Sequence, residues 1–278
     1  VDPRGYALMT AFEHIRVEPL TPTIGAIVHG VDLAKLNEAI FAEIHAAWMQ
    51  HLVLFFREQK LPPDAHLAFG RRLGPLHVHP AAPYAHENPE LMVIHTDKDS
   101  FRNNGSGWHS DVSADEKPPM ASVLHLHQVP GQGGDTLFTS MYAAYEALSD
   151  TMQTFLAELT AEHVSNYAGT YGDHQPQREF PHATHPVIRT HPITGRKALF
   201  VNRGFTREIN GLSATESRAL LDFLFEHAAN PAFQCRFQWE ADSVAMWDNR
   251  CTQHLAIWDY YPETRSGLRV TVTGDRPG

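Results

Sequence analysis

Residues 233–273 read FQCRFQWEADSVAMWDNRCTQHLAIWDYYPETRSGLRVTVT. Four short runs, 233–239, 243–247, 254–259 and 268–273, are rich in aromatic and β-branched residues, and polar or Pro-containing turns separate them. Short strands at regular spacing are the pattern of an all-β sandwich or jelly roll. Working outward, 51–57, 90–96, 120–129 and 197–202 read as further strands. Helical spacing of apolar residues appears over 37–50 and 62–72, the latter with Pro63 and Asp64 in its first turn. Ser149 predicts an N-cap for a helix running through His163, with Asp150 in its first turn. Ser213-x-x-Glu216 is a capping box for a helix through His227, which Asn230-Pro231 stops. The expectation is a mainly β fold with three or four flanking helices.

No repeat or linker divides the chain, so one domain is expected over 9–278. Met9 reads like a natural start, and 1–8 reads as a cloning remnant or a natural extension. The polar stretch 164–184, with Gly and Pro and little periodicity, is too long for an ordinary connection. It reads as a flexible lid over a site.

The 278 residues are 42% hydrophobic, enough for a substantial core. No run approaches 18 consecutive apolar residues, so no transmembrane helix is expected, and 1–8 lacks the features of a signal peptide. The formal net charge of -10 argues against a nucleic-acid backbone as partner, though a few local arginines suffice for a small anion. Cys235 and Cys251 read as two reduced thiols of a cytoplasmic protein. There are 19 histidines, so most must be structural and each needs supporting context before it counts as a ligand.

His-x-Asp occurs twice. His95-Thr96-Asp97 closes an apolar run beside Lys98 and Asp99 and reads as a strand end entering solvent. Trp108-His109-Ser110-Asp111 follows the polar loop 101–107. In an extended segment, positions i and i+2 face the same side, so His109 and Asp111 can reach one point together. A second His would complete a 2-His-1-carboxylate face with open positions for Fe(II) and O2 chemistry; a structural His–Asp hydrogen bond fits the spacing equally. His254 is the candidate third ligand, in the segment that opens Trp247-Asp248-Asn249-Arg250. Arg265 and Arg269 follow, and a guanidinium suits a carboxylate through two parallel hydrogen bonds. A surface His with two arginines paired to Asp259 or Glu263 is the alternative.

His109-x-Asp111, His254 and Arg265 together resemble the Fe(II)- and 2-oxoglutarate-dependent dioxygenases. More narrowly, the chain resembles the taurine dioxygenase family, which also holds alkylsulfatases and aryloxyalkanoate dioxygenases. The matching stretches include Ile24-Gly25-Ala26, His77-Val78-His79-Pro80, Trp108-His109-Ser110-Asp111-Val112, Gly133-Gly134-Asp135-Thr136, Arg189-Thr190-His191-Pro192, Phe200-Val201-Asn202-x-Gly204-Phe205-Thr206 and Trp247-Asp248-Asn249-Arg250. The resemblance implies a double-stranded β-helix. It implies that His109, Asp111 and His254 bind Fe(II) and that Arg265 and Thr136 hold the distal carboxylate of 2-oxoglutarate. His79, Phe205 and Arg269 would line the substrate site, with Arg269 and His79 on its anionic group.

The implied reaction consumes O2 and 2-oxoglutarate, hydroxylates a substrate C–H and releases succinate and CO2. The expected partner is a small anionic organic molecule, an alkyl sulfonate or sulfate ester, and a homo-oligomer is expected. Ala82 stands where taurine dioxygenase has a Tyr, and 103–107 is longer than its counterpart, so the groups that would hold the taurine amine are altered. An aryloxyalkanoate or other carboxylate dioxygenase is the alternative within the family. A non-catalytic jelly-roll metal- or ligand-binding protein is the alternative outside it.

Overall fold

The computed structural model describes residues 12–80, 83–85, 88–101, 103, 105–165 and 180–278. Its largest sheet has eight strands in the order β1 (Arg16–Pro19), β2 (Ala26–His29), β3 (Val53–Phe56), β14 (Ser243–Asp248), β6 (Ala121–Gln128), β16 (Arg265–Val272), β5 (Asn88–Thr96) and β4 (Tyr84–Ala85). Opposite it lies β13 (Gln234–Phe237), β7 (Thr136–Ser140) and β15 (Thr252–Ala256), in that order. Two smaller sheets complete the β structure of the described residues: β12 (Thr206–Ile209), β8 (Thr160–Val164) and β9 (His182–Pro186), and the pair β10 (Ile188–Thr190) and β11 (Lys197–Leu199). This is the jelly roll that residues 233–273 predict: those residues supply β13 to β16, two to each facing sheet.

Alternation explains why the two sheets close on each other. Phe55, Phe138, Phe237 and Trp247, one each from β3, β7, β13 and β14, are almost wholly buried. Phe55 stacks on Phe237 with ring centroids 3.9 Å apart, and Phe138 stands 5.6 Å from both Phe55 and Trp247. Each such burial contributes roughly 1.5–3 kcal/mol. Gly267, in β16, lies between two ladders, where a Cβ would overlap the His125 carbonyl oxygen.

Five α-helices flank the sheets among the described residues: α1 (Glu38–His51), α2 (Pro63–Leu73), α3 (Met141–Glu146), α4 (Asp150–Ala157) and α5 (Ala214–Ala228). The capping box of Ser213 and Glu216 is present, with hydrogen bonds running both ways. Ser149 caps α4 through the Met152 amide. The helix expected to run on to His163 stops at Ala157, and Thr160–Val164 is β8 instead. Leu159 continues the helical spacing, but Ala161 and His163 are buried in alternation. Strands β9 and β12 on either side satisfy the backbone of β8. Of the expected lid, Val164 and 182–184 lie in strands, with Val164 opposite His182. Its centre, 166–179, lies outside the described residues, as do the extension 1–8 and Ala82. Among the described residues, no helix is long and apolar enough to cross a membrane.

Two buried histidines make the fold acid-sensitive. His66 donates Nε2–H to the Val123 carbonyl at 3.0 Å, and His163 lies between Ser113 and Thr206. Burial pushes both pKa values down to about 3. Above pH 6.5 both rings are neutral whether the chain is folded or not, and neither contributes pH dependence. Below it the unfolded chain takes up protons that the folded chain refuses, so stability falls by about 1.4 kcal/mol per pH unit for each histidine, down to about pH 3. Urea unfolding between pH 7 and pH 5 should show this decline. His163→Gln should flatten the slope by about one proton's share.

Candidate active site

His109 and His254 meet through an isolated antiparallel bridge. The His109 amide donates to the His254 carbonyl at 3.1 Å, and the His254 amide donates to the His109 carbonyl at 2.9 Å. A pair that exchanges both backbone hydrogen bonds stands directly opposite. The ring centroids are consequently only 4.1 Å apart. Two residues on, Asp111 brings its Oδ1 to 3.8 Å from His109 Nε2 and 3.9 Å from His254 Nε2. The chain then turns sharply at Val112, whose φ is +44°. A β-branched residue there is strained, at a cost of about 1–3 kcal/mol. Gly204 packs against the back of His109, where a Cβ would stand 2.8 Å from that of the histidine.

The protonation states suit metal binding. His109 Nδ1 donates to the Gly107 carbonyl at 2.8 Å, which leaves the Nε2 lone pair facing Asp111. Burial lowers the pKa of His109, and burial together with His109 lowers that of His254 well below the usual imidazole range. Burial opposes the charge on Asp111. The Arg269 guanidinium, the two imidazoles and the Ser122 hydroxyl outweigh it and hold the carboxyl below its usual range. Two neutral imidazoles and one carboxylate, with ligand atoms all within 4.8 Å of one another, fit a divalent first-row metal and leave part of its coordination shell to other ligands.

A second cluster, His191, Asp248 and Cys251, is equally compact and wholly buried, yet its chemistry differs. Arg250 clamps both Asp248 oxygens, at 2.8 and 2.6 Å. His191 Nδ1 accepts the Ile193 and Thr194 amides at 3.2 and 3.1 Å, so Nε2 carries the proton and donates it to Asp248. Burial and Asp248 raise the Cys251 pKa, which keeps it a thiol. Both imidazole nitrogens and both carboxylate oxygens are taken, and the sulfur stays a protonated thiol, a poor metal donor, so the cluster ties the segment around β10 to the end of β14.

Arg265 and Arg269 both point inward from β16, four residues apart on one face. Arg265 is 3% exposed, and no acidic side chain among the described residues pairs with it. Its Nη2 donates to Thr136 Oγ1 at 3.4 Å, its guanidinium lies 5.5 Å from the Trp239 ring, and its Nε has no partner among the described residues. Burial pushes its pKa down to about 10. A buried cation without a counter-charge is costly unless a ligand supplies one. Trp239 Nε1 donates to the same Thr136 oxygen at 2.9 Å. With two donors aimed at that oxygen, the Thr136 hydrogen is left to point elsewhere, as a bound carboxylate requires. Trp239 escaped the sequence reading, although Cys235, Phe237 and Trp239 mark the inward face of β13 and its continuation.

Arg269 reaches the metal-ligand cluster itself. Its Nη1 donates to Asp111 Oδ1 at 2.8 Å, Nη2 lies 3.1 Å from Met92 Sδ, and Nε has no partner among the described residues. His79 is buried three residues past Leu76, which bridges Val272 at the end of the same strand. Phe205 is buried next to Gly204. The first His-x-Asp pair, His95 and Asp97, closes β5 with both side chains substantially exposed, as read from the sequence.

The family model for Taurine catabolism dioxygenase TauD, TfdA family matches residues 16–271. The alpha-ketoglutarate-dependent sulfonate dioxygenase of Saccharomyces cerevisiae is 34% identical, covering 95% of this chain and 68% of that one. The alpha-ketoglutarate-dependent sulfate ester dioxygenase of Pseudomonas putida is 34% identical, covering 94% and 90%. Among solved structures, a taurine dioxygenase from Burkholderia xenovorans superposes with a TM-score of 0.85 at 39% identity, covering 95% of this chain and 91% of that one. The two compact clusters predict opposite outcomes on mutation. His109→Ala should weaken Co(II) binding by more than about 100-fold, whereas His191→Gln should leave one bound ion per chain and lower only the melting temperature. Equilibrium dialysis and thermal scans check both.

Proposed function

Because the chain belongs to the taurine catabolism dioxygenase TauD, TfdA family and is therefore a 2-oxoglutarate-dependent dioxygenase, we propose that it hydroxylates a C–H of a small organic sulfonate or sulfate ester. The observation that carries the anionic substrate is Arg269, buried on β16 beside Asp111, whose Nε has no hydrogen-bond partner among the described residues. The names of the yeast and Pseudomonas relatives support sulfur oxyanions over other anions.

In this reading His109, Asp111 and His254 hold Fe(II). Bound iron supplies O2 activation, with 2-oxoglutarate giving up two electrons as it becomes succinate and CO2. Arg265 and the Thr136 hydroxyl hold the distal carboxylate of 2-oxoglutarate, and Trp239 keeps that hydroxyl turned outward. Arg269 and His79 bind the anionic head of the substrate, and Phe205 forms an apolar wall beside it. Arg269 does this while donating to Asp111, so the substrate head and the metal-ligating carboxylate share one guanidinium. That fixes the distance between the anion and the reacting centre. If the hydroxylated carbon bears the sulfonate or sulfate group, the product collapses to an aldehyde with release of sulfite or sulfate.

Succinate formation with 2-oxoglutarate, Fe(II) and ascorbate should be stimulated by alkyl sulfonates or alkyl sulfates and not by aryloxyalkanoates. Stimulation by carboxylates alone would replace this substrate class with the carboxylate one, and no stimulation by any anion would refute the anionic substrate. Arg265→Gln should raise the KM for 2-oxoglutarate by about 100-fold, the scale for removing one partner of a buried charge pair, while Arg269→Gln should act chiefly on the KM for the sulfonate.

A further inference from the structure

Asp111 has two carboxylate oxygens, and the fold treats them differently. Oδ1 faces both imidazole Nε2 atoms and accepts Arg269. Oδ2 accepts the Ser122 hydroxyl at 2.7 Å. Ser122 is wholly buried on β6, and its own oxygen accepts Asn249 Nδ2 at 3.0 Å. A hydroxyl has one hydrogen, so with Asn249 donating to it, Ser122 must give that hydrogen to Asp111. Asn249 cannot turn over. Its Oδ1 accepts the Trp247 indole N–H at 2.9 Å and the Asp111 amide at 3.3 Å, and its backbone carbonyl accepts the Ser110 hydroxyl at 2.6 Å. Trp247, Asn249 and Ser122 thus form a chain with a fixed direction that ends on one oxygen of the carboxylate.

That direction matters for coordination number. A carboxylate can bind a divalent ion through one oxygen or both. Three protein donors leave three of six positions open; a keto acid chelate occupies two and O2 needs the third. A second Asp111 oxygen on the ion would occupy that third position. Reaching it would break a charge-assisted hydrogen bond and strand the Ser122 hydroxyl and the Asn249 amide in a dry interior. We infer that Ser122, oriented by Asn249, is a positioning residue that keeps Asp111 a single-oxygen ligand and so keeps the third co-substrate position open. The inference rests on reading His109, Asp111 and His254 as the metal site.

The test loads anaerobic protein with Fe(II) and saturating 2-oxoglutarate, then titrates nitric oxide as a stand-in for O2, following the iron–nitrosyl absorption for wild type, Ser122→Ala and Ser122→Thr. Ser122→Ala should bind Fe(II) within about threefold of wild type or tighter, while its half-saturating nitric oxide concentration rises about tenfold or more. Ser122→Thr, which keeps the hydroxyl, should match wild type. A loss of Fe(II) affinity of about tenfold or more in Ser122→Ala with unchanged nitric oxide binding would overturn the inference, because Ser122 would then merely hold the ligand in place. Wild-type behaviour of Ser122→Ala in both titrations would overturn it too. If Ser122→Ala does not fold, Asn249→Ala removes the donor that orients the hydroxyl and must show the same divergence between iron and nitric oxide, or the inference fails. Failure of wild type itself to bind Fe(II) would instead remove the metal assignment, and the inference with it.

Discussion

Two backbone hydrogen bonds between His109 and His254 hold the site together. They join residues 145 positions apart, and they place the two imidazoles opposite each other before any side-chain preference acts. Everything else follows from that register. Asp111 arrives because it lies two residues past the bridge, where the chain enters the turn at 111–114. Gly204 must lack a Cβ because the other side of His109 is already occupied. The strain at Val112 is the local cost of turning the chain away immediately after its ligand.

The surrounding jelly roll makes this register tolerable by managing buried charge. Among the described residues four arginines are buried, and three of them, Arg250, Arg269 and Arg265, are handled differently. Arg250 is neutralised by both oxygens of Asp248, and the trio with His191 is saturated and rigid. Among the described residues, Arg269 is half-satisfied, with one N–H on Asp111 and an Nε without a partner. Among them Arg265 meets a hydroxyl and an aromatic face and no acidic group. Within these three, the saturated cation gives structural support and the unsatisfied ones face the proposed site; Arg189, also buried with two nitrogens unpartnered among the described residues, pairs with Asp275. An unsatisfied buried cation destabilises the empty protein and becomes favourable when an anion fills the site.

Much of the architecture was legible because it rests on local rules. The capping box at Ser213 and the cap at Ser149 sit where the residue pattern placed them, and 233–273 supplies four strands as expected, although the third runs Thr252–Ala256 and the fourth begins at Arg265. The error at 158–163 is instructive. Leu159 fits a helical stripe, and nothing nearby announces that β9 and β12 will offer ladder partners to Thr160–Val164. Short elements such as α3 and β10 carry too few residues to show a period, and they take their form from the core beneath them.

The sequence by itself determined the chemistry available. A His-x-Asp pair, a distant His and two arginines four apart are statements about residue type, and type decides which protons and lone pairs exist. It could not say which of two His-x-Asp pairs was the site by spacing alone, because both satisfy the same local geometry. The tertiary structure agrees with the reading of His95 and Asp97 as a strand end near solvent, and only it brought His109 and Asp111 against His254. Only it showed that in a second compact trio, His191, Asp248 and Cys251, both imidazole nitrogens and both carboxylate oxygens are already taken. Trp239, Ser122 and Asn249 belong to the same category. Each acts through one hydrogen bond to a residue more than ten positions away, and the direction of a hydrogen bond is set by where the backbone carries its donor, not by the identity of the donor.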